Sequence, residues 1–255
     1  MHAPDCYNNC GYGDVMRNLL FIFVPIYMIA LGSMASDDKY AIARAGMVQE
    51  IESQVGETQS YLGKDHLDPR VIAALEAVPR HKFVPADLQE MAYLNQPLPI
   101  GYDQTISQPY IVAVMTDLLG VFEGGRVLEV GTGSGYQAAV LGELCESVYS
   151  IEIIEPLGLE TAELLGELGY TNVHVTTGDG YLGWPDEAPF DGIIVTAAAP
   201  EVPPPLLEQL RPGGRLIIPV NQGHWSQDLL VIAKDANGDI SRREILPVRF
   251  VPLTR

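Results

Sequence analysis

The residues best suited to chemistry begin with Val127-Leu128-Glu129-Val130-Gly131-Thr132-Gly133-Ser134-Gly135, an apolar run entering a glycine-rich turn. Gly131, Gly133 and Gly135 permit positive φ and let backbone N–H groups come close to a bound molecule. Their G-x-G-x-G spacing differs from the dinucleotide pattern G-x-G-x-x-G, whose third glycine serves a pyrophosphate site. Glu129, just ahead of the turn, would repel a pyrophosphate and suits a cationic amino-acid group. Glu152 closes the next apolar run, about 20 residues further on, where a carboxylate can accept from ribose hydroxyls. Asp179, within Gly178-Asp179-Gly180, follows the third run and suits an exocyclic adenine amine. Each acid alone reads as a solvated turn residue. Three of them at the carboxyl ends of successive strands describe one ligand, adenosine-containing and positively charged, and S-adenosylmethionine fits.

Alternating patterns must position these groups. Residues 127–130, 148–153, 172–176, 192–196 and 215–220 read as short strands, with helices over 134–144, 156–168 and 204–210. The alternation predicts an α/β fold: a doubly wound, mostly parallel Rossmann-like sheet with helices on both faces. Residues 229–234 and 240–248, joined across Asn237-Gly238, predict an antiparallel hairpin at the end of that sheet. Ahead of the core, 41–61 has helical periodicity, with Ile42, Met47, Ile51 and Val55 near one face. Asp68-Pro69 caps a helix over 70–78, and 108–119 forms another with Pro109 in its first turn. Pro85, Pro97 and Pro99 punctuate an irregular stretch reaching Gly101. The expected organisation is a leader over 1–35, a helical N-terminal subdomain with a substrate loop over 36–120, and a cofactor-binding core over 121–255.

The 255 residues are 47% hydrophobic, enough for one sizeable core with additions. Acidic residues outnumber basic ones 33 to 15, a net charge of -18, which argues against a nucleic-acid partner. Cys6 and Cys10 lack companions at zinc-ligand spacing, and Cys145 sits in an apolar helical pattern as a small buried hydrophobe, so no metal site is read. Met16-Arg17-Asn18 leads into an apolar run over 19–31 and then small residues, the pattern of an export signal or short anchor starting at Met16. An apolar helix packed on the domain is the alternative. The run is short for a membrane span, which needs roughly 20 residues. With Arg17 held inside, the domain would lie outside the cytoplasm, in conflict with a cofactor made in the cytosol. Membrane contact is expected only through this segment.

From about residue 78 to 253 the chain resembles the protein-L-isoaspartate (D-aspartate) O-methyltransferase family. The most specific stretches are Gln104-Thr105-Ile106-Ser107-Gln108-Pro109 and Pro247-Val248-Arg249-Phe250-Val251-Pro252-Leu253, with Val78-Pro79-Arg80 and Leu210-Arg211-Pro212-Gly213-Gly214-Arg215 adding to the match. There are departures: Asp103 where the family has glycine, Asn95 where it has aspartate, and Tyr61-Leu62-Gly63 where it has Arg-Gly-Ile. The resemblance implies methylation of the free carboxylate of L-isoaspartyl residues in damaged proteins and peptides, in the cytoplasm. A monomer is expected. The resemblance makes Ser107 the active-site hydroxyl with Thr105 beside it, and gives Gly131, Gly133, Gly135, Glu152 and Asp179 to the cofactor. Thr196, with its loop to Ala199, and the ending that includes Val248 and Phe250 would flank the peptide.

This chemistry suits these residue types. A carboxylate attacking a sulfonium methyl is already ionised near neutral pH, its reference pKa being about 4, so no strong base is required. Alignment and exclusion of water dominate, and good orientation is worth roughly 7–11 kcal/mol. Ser107 also reads as a helix cap just ahead of Pro109. Methylation of another carboxylate or a small molecule is the nearest rival, and an exported, non-catalytic binding domain is a second. A nicotinamide-dependent oxidoreductase is disfavoured by the glycine spacing.

Overall fold

The computed structural model describes residues 20–120, 123–222 and 226–255, with side chains of the first helix from residue 39 onward. The chain divides into two compact units, 1–43 and 44–255. Helix α1 (Leu20–Glu57) is unbroken across residue 35, where the leader was expected to end. The first part of that leader, with Met16 and Arg17, lies outside the described residues. Among the described residues no helix is long and apolar enough to cross a membrane. Met47, Val48, Ile51 and Val55 bury one face of α1, whereas Ile42, expected on that face, is 76% exposed. The reason is angular: Ile42 stands about half a turn around the helix from Ile51 at 3.6 residues per turn.

A one-turn helix, α2 (Gln59–Leu62), ends at Gly63 in the left-handed region. Helix α3 (Pro69–Ala77) starts as its sequence dictates, Asp68 accepting from the Arg70 N–H at 2.9 Å with proline at the first position. Two 3₁₀ turns, Arg80–Phe83 and Ala86–Met91, lead to a hairpin of β1 (Leu98–Gly101) and β2 (Gln104–Ile106). The prolines read as marks of irregular structure hid this hairpin; Pro99 is tolerated because the ribbon has only two strands and shifts register there. Tyr102 and Asp103 turn it with φ of 52° and 56°, the two positive values that a tight two-residue hairpin demands. Helix α4 (Pro109–Leu119) is buried along almost its whole length.

The core follows as β3 (Arg126–Val130), α5 (Tyr136–Gly142), β4 (Ser147–Glu152), α6 (Glu155–Glu167), β5 (Val173–Thr177), β6 (Phe190–Val195), α7 (Pro204–Gln209), β7 (Leu210–Gln222), β8 (Ser226–Lys234) and β9 (Ile240–Val248). The strands form one seven-stranded sheet in the order β5-β4-β3-β6-β7-β8-β9. Pairing is parallel from β5 to β7 and antiparallel through β8 and β9, the expected doubly wound sheet with a terminal hairpin. Leu128, Val130, Ile193, Val195, Leu216 and Ile218 alternate onto one buried face. The chain winds outward from β3 through β4 and β5, then restarts on its other side with β6. Beyond the carboxyl ends of β3 and β6 lies the crevice where such sheets hold ligands.

Candidate active site

After β3 the backbone turns through Gly131, Gly133 and Gly135 at φ of 95°, 53° and 86°. A Cβ on Gly131 would stand 2.5 Å from Thr196 Oγ1, and one on Gly135 2.6 Å from Thr161 Cγ2, so the turn is wedged between β6 and α6. Glu152, at the end of β4, accepts from the Gly133 N–H at 2.8 Å and the Ile154 N–H at 3.0 Å, one on each carboxylate oxygen. Each oxygen retains acceptor capacity. Glu152 borders a first cavity beyond the sheet, together with Gly131, Gly133 and Gly180. Asp179 caps the turn after β5 by accepting from the Tyr181 N–H at 2.9 Å, and its other oxygen lies 3.9 Å from Arg255 Nε. At that corner its neighbour Gly180 borders the cavity.

Glu129 points into the interior and borders a further cavity, here the third, with Thr132 and Ser107. Its Oε2 accepts from Ser150 Oγ at 2.5 Å, and that hydroxyl pairs with Thr132 Oγ1 at 2.6 Å. Oε1 is buried without a hydrogen-bond partner. Burial pushes the carboxyl up to about 8, against the lowering effect of the Ser150 hydroxyl, and nearby Glu152 raises it further. A buried carboxylate oxygen left unpaired beside a glycine turn fits a ligand that brings a cation, such as the ammonium of S-adenosylmethionine.

Ser107 follows β2 and offers its carbonyl to Arg80 Nη2 at 2.8 Å. It does not cap α4. The cap position is Gln108, which makes no side-chain cap bond, and the Tyr110 N–H is taken by Asn95 Oδ1 at 3.0 Å. Asn95 also donates through Nδ2 to Gln54 Oε1 at 2.7 Å, which an aspartate there could not do. A second cavity of about 430 Å³ opens beside Ser107, with Thr105, Ile111, Val248 and Phe250 on its walls. Gln227 holds Phe250 by both backbone groups, accepting at 2.6 Å and donating at 3.1 Å. Beyond it the chain lies as a strap along Ala198, which donates to the Val251 carbonyl and accepts from the Leu253 N–H, each at 2.8 Å. Val251 borders both the first and the second cavity. Thr105 and Thr196 border all three. Thr196 is held there by donating to the carbonyls of Gly131 at 2.5 Å and Val130 at 3.1 Å.

Arg80, Asn95 and Gln227 shape this site, and sequence reasoning assigned none of them a part. Nothing in their local patterns separates them from solvated polar residues, because the groups they hold lie far away in the chain. Among the described residues no group of three or more His, Cys, Asp or Glu side chains converges as a metal site. Cys145 is buried, and that burial pushes its thiol up to about 12, the state of an inert core residue.

The model of the protein-L-isoaspartate(D-aspartate) O-methyltransferase family matches residues 60–255. Protein-L-isoaspartate O-methyltransferase 2 of Syntrophobacter fumaroxidans is 59% identical over 236 residues, covering 92% of this chain and 96% of its own. Protein-L-isoaspartate O-methyltransferase 1 of Cupriavidus necator is 54% identical over 239 residues, covering 93% of this chain and 92% of its own. A solved protein-L-isoaspartate O-methyltransferase superposes with a TM-score of 0.70 at 28% identity, over 80% of this chain and 66% of its own. A Plasmodium falciparum beta-aspartate methyltransferase, solved in complex with S-adenosyl-L-homocysteine, gives a TM-score of 0.65 at 27% identity over 79% of this chain and 97% of its own. A match over this length, with relatives this similar, makes the chain a member of the protein-L-isoaspartate(D-aspartate) O-methyltransferase family.

Proposed function

We propose that this chain transfers the methyl group of S-adenosylmethionine to the free carboxylate of L-isoaspartyl residues in damaged proteins, at the junction of its three cavities. One observation carries the placement: Thr105 and Thr196 border all three, so the spaces beside the glycine turn and beside Ser107 open on one point. The S-adenosyl-L-homocysteine held by the Plasmodium falciparum relative supports the cofactor. When bound, that cofactor supplies an electrophilic methyl group on a sulfonium. Glu152 accepts from the ribose hydroxyls with its spare lone pairs, and Glu129 Oε1 accepts from the ammonium. Gly131 and Gly133 border the space left for the ligand, Gly135 lets the turn pack closely on α6, and Asp179, next to the Gly180 that borders the first cavity, would accept from the adenine amine.

The peptide occupies the second cavity, between Ser107 and Thr105 on one side and Val248 and Phe250 on the other. Ser107 Oγ donates to one oxygen of the isoaspartyl carboxylate and leaves the second free to attack. No proton need move, because the carboxylate arrives ionised. The residues contribute alignment and the exclusion of water. The methyl ester formed is a better electrophile than a carboxylate, so the adjacent backbone nitrogen attacks its carbonyl and expels methanol to give a succinimide, which water reopens in part to normal aspartate. We further infer a cytoplasmic monomer. Cofactor supply supports the compartment. The net charge of -18 supports protein over nucleic-acid substrates, and any membrane contact would run through the apolar segment near the N-terminus.

The test is methyl transfer from labelled S-adenosylmethionine to paired synthetic peptides, one with isoaspartate and one with aspartate. Alkali-labile label on the isoaspartyl peptide alone, cut at least about 100-fold in kcat by Ser107→Ala, is the expected outcome. Equal labelling of both peptides would sink the substrate assignment.

A further inference from the structure

We propose that Arg80 is the positioning residue for the Ser107 hydroxyl, clamping the loop that carries it against the start of α5; the inference rests on the role given to Ser107 above. Arg80 is wholly buried and joins three segments that converge beside the reaction point. Its Nε donates to the Ala92 carbonyl at 2.7 Å and its Nη2 to the Ser107 carbonyl at 2.8 Å. The guanidinium lies 4.7 Å from the ring centroid of Tyr136, the first residue of α5, which borders the third cavity with Ser107.

This arrangement is expensive as a mere core filling. Among the described residues no carboxylate pairs with the guanidinium, and Nη1 is buried without an acceptor. Burial of the cation pulls its pKa down to about 10, while the Tyr136 and Tyr93 side chains partly oppose that fall. An apolar side chain of similar volume would fill the space without that desolvation. What only arginine supplies is a planar fork that reaches two carbonyls at a fixed angle while its face rests on an aromatic ring.

The consequence falls on Ser107. Its predecessor Ile106 is pinned to Leu98 in the β1–β2 ribbon, and two residues beyond Gln108 the chain is pinned again by Asn95 on the Tyr110 N–H. Between those points the Ser107 peptide plane has one hydrogen-bond tether among the described residues, the Arg80 bond to its carbonyl. That tether sets the direction in which the hydroxyl leaves the backbone. Lysine at this place keeps the charge but presents a point donor, not a fork.

The experiment is a double-mutant cycle in methyl-transfer kinetics with Arg80→Lys, Ser107→Ala and both together, with cofactor affinity measured separately by equilibrium binding. Arg80→Lys should lower kcat by about 100-fold, the cost of a misplacement near 1 Å, while peptide KM changes far less. Cofactor Kd should stay within about threefold, and the substitution should add less than about threefold in the Ser107→Ala background. An equal loss of kcat in both backgrounds, or a loss of cofactor affinity in parallel with activity, overturns the proposal and leaves Arg80 a structural tie. Undiminished kcat in Ser107→Ala alone overturns the Ser107 assignment and this inference with it, an outcome the single variant separates from the others. If Arg80→Lys does not fold, Arg80→Gln, uncharged and still a donor, enters the same cycle with the same expected non-additivity.

Discussion

Ionising Glu129 works against the ligand-free fold. Its folded pKa, about 8, stands above the 4.5 of an ordinary glutamate. The stability contributed by its neutral form is therefore complete below pH 4.5 and lost as the pH rises through 8. Ligand-free wild type should fall in Tm between about pH 6 and 9 by more than Glu129→Gln does, since the amide has no charge to bury. A cationic ligand beside Oε1 reverses the balance, so cofactor binding near pH 7 should release a proton from wild type and none from Glu129→Gln. Calorimetry in buffers of differing ionisation enthalpy reads that proton; equal release from both proteins would place the ammonium elsewhere. The positions of the three acids were legible because Glu129, Glu152 and Asp179 each lie within two residues of a strand's carboxyl end, which an apolar run reveals. Arg80 and Asn95 were not. Their partners Ser107 and Gln54 are distant in sequence, and no local pattern records a side chain's reach to a remote carbonyl or amide.

Strained geometry marks the hairpin that supplies Gln104 and Thr105 to the cavities. Asp103 turns the hairpin with a φ of 56°, in the left-handed region that favours glycine. An L-residue in the left-handed region pays roughly 1–2 kcal/mol, less for aspartate, whereas glycine pays only its extra unfolded-chain entropy of about 0.5–1 kcal/mol. Stability should therefore rank Asp103→Gly above wild type and wild type above Asp103→Ala, across a span of about 1–2 kcal/mol, readable in thermal melts. If alanine proves the equal of glycine, the turn does not hold this conformation. The sheet elements were legible because period-2 burial and Asn237-Gly238 are local signals, whereas β1 and β2 were hidden by prolines that a two-stranded ribbon can accept. Ile42 shows the opposite error, an apolar residue admitted to a face that it misses by half a turn.

Over the whole molecule, an excess of acid shapes encounters more than the fold. With a net charge of -18, peptides bearing lysine or arginine around the isoaspartate should show higher kcat/KM than acidic ones at low ionic strength. The gap should close as salt approaches about 1 M, where the screening length is about 3 Å, and a gap that persists would point to specific contacts. The doubly wound class was legible at this scale from the alternation of strands and helices, but the strand order with its restart at β6 was not. The strap was legible only in part. Its sequence stood out, but not that Gln227 and Ala198 anchor it or that Val251 serves two cavities at once. A wall held in common imposes a timetable on turnover. A peptide seated against one side of the strap that also covered the space on the other would make the small partner enter first and leave last. Product inhibition should bear this out: S-adenosylhomocysteine should compete with S-adenosylmethionine at every peptide concentration, while the methylated peptide should not. Isotope trapping of prebound S-adenosylmethionine should approach completeness as peptide saturates.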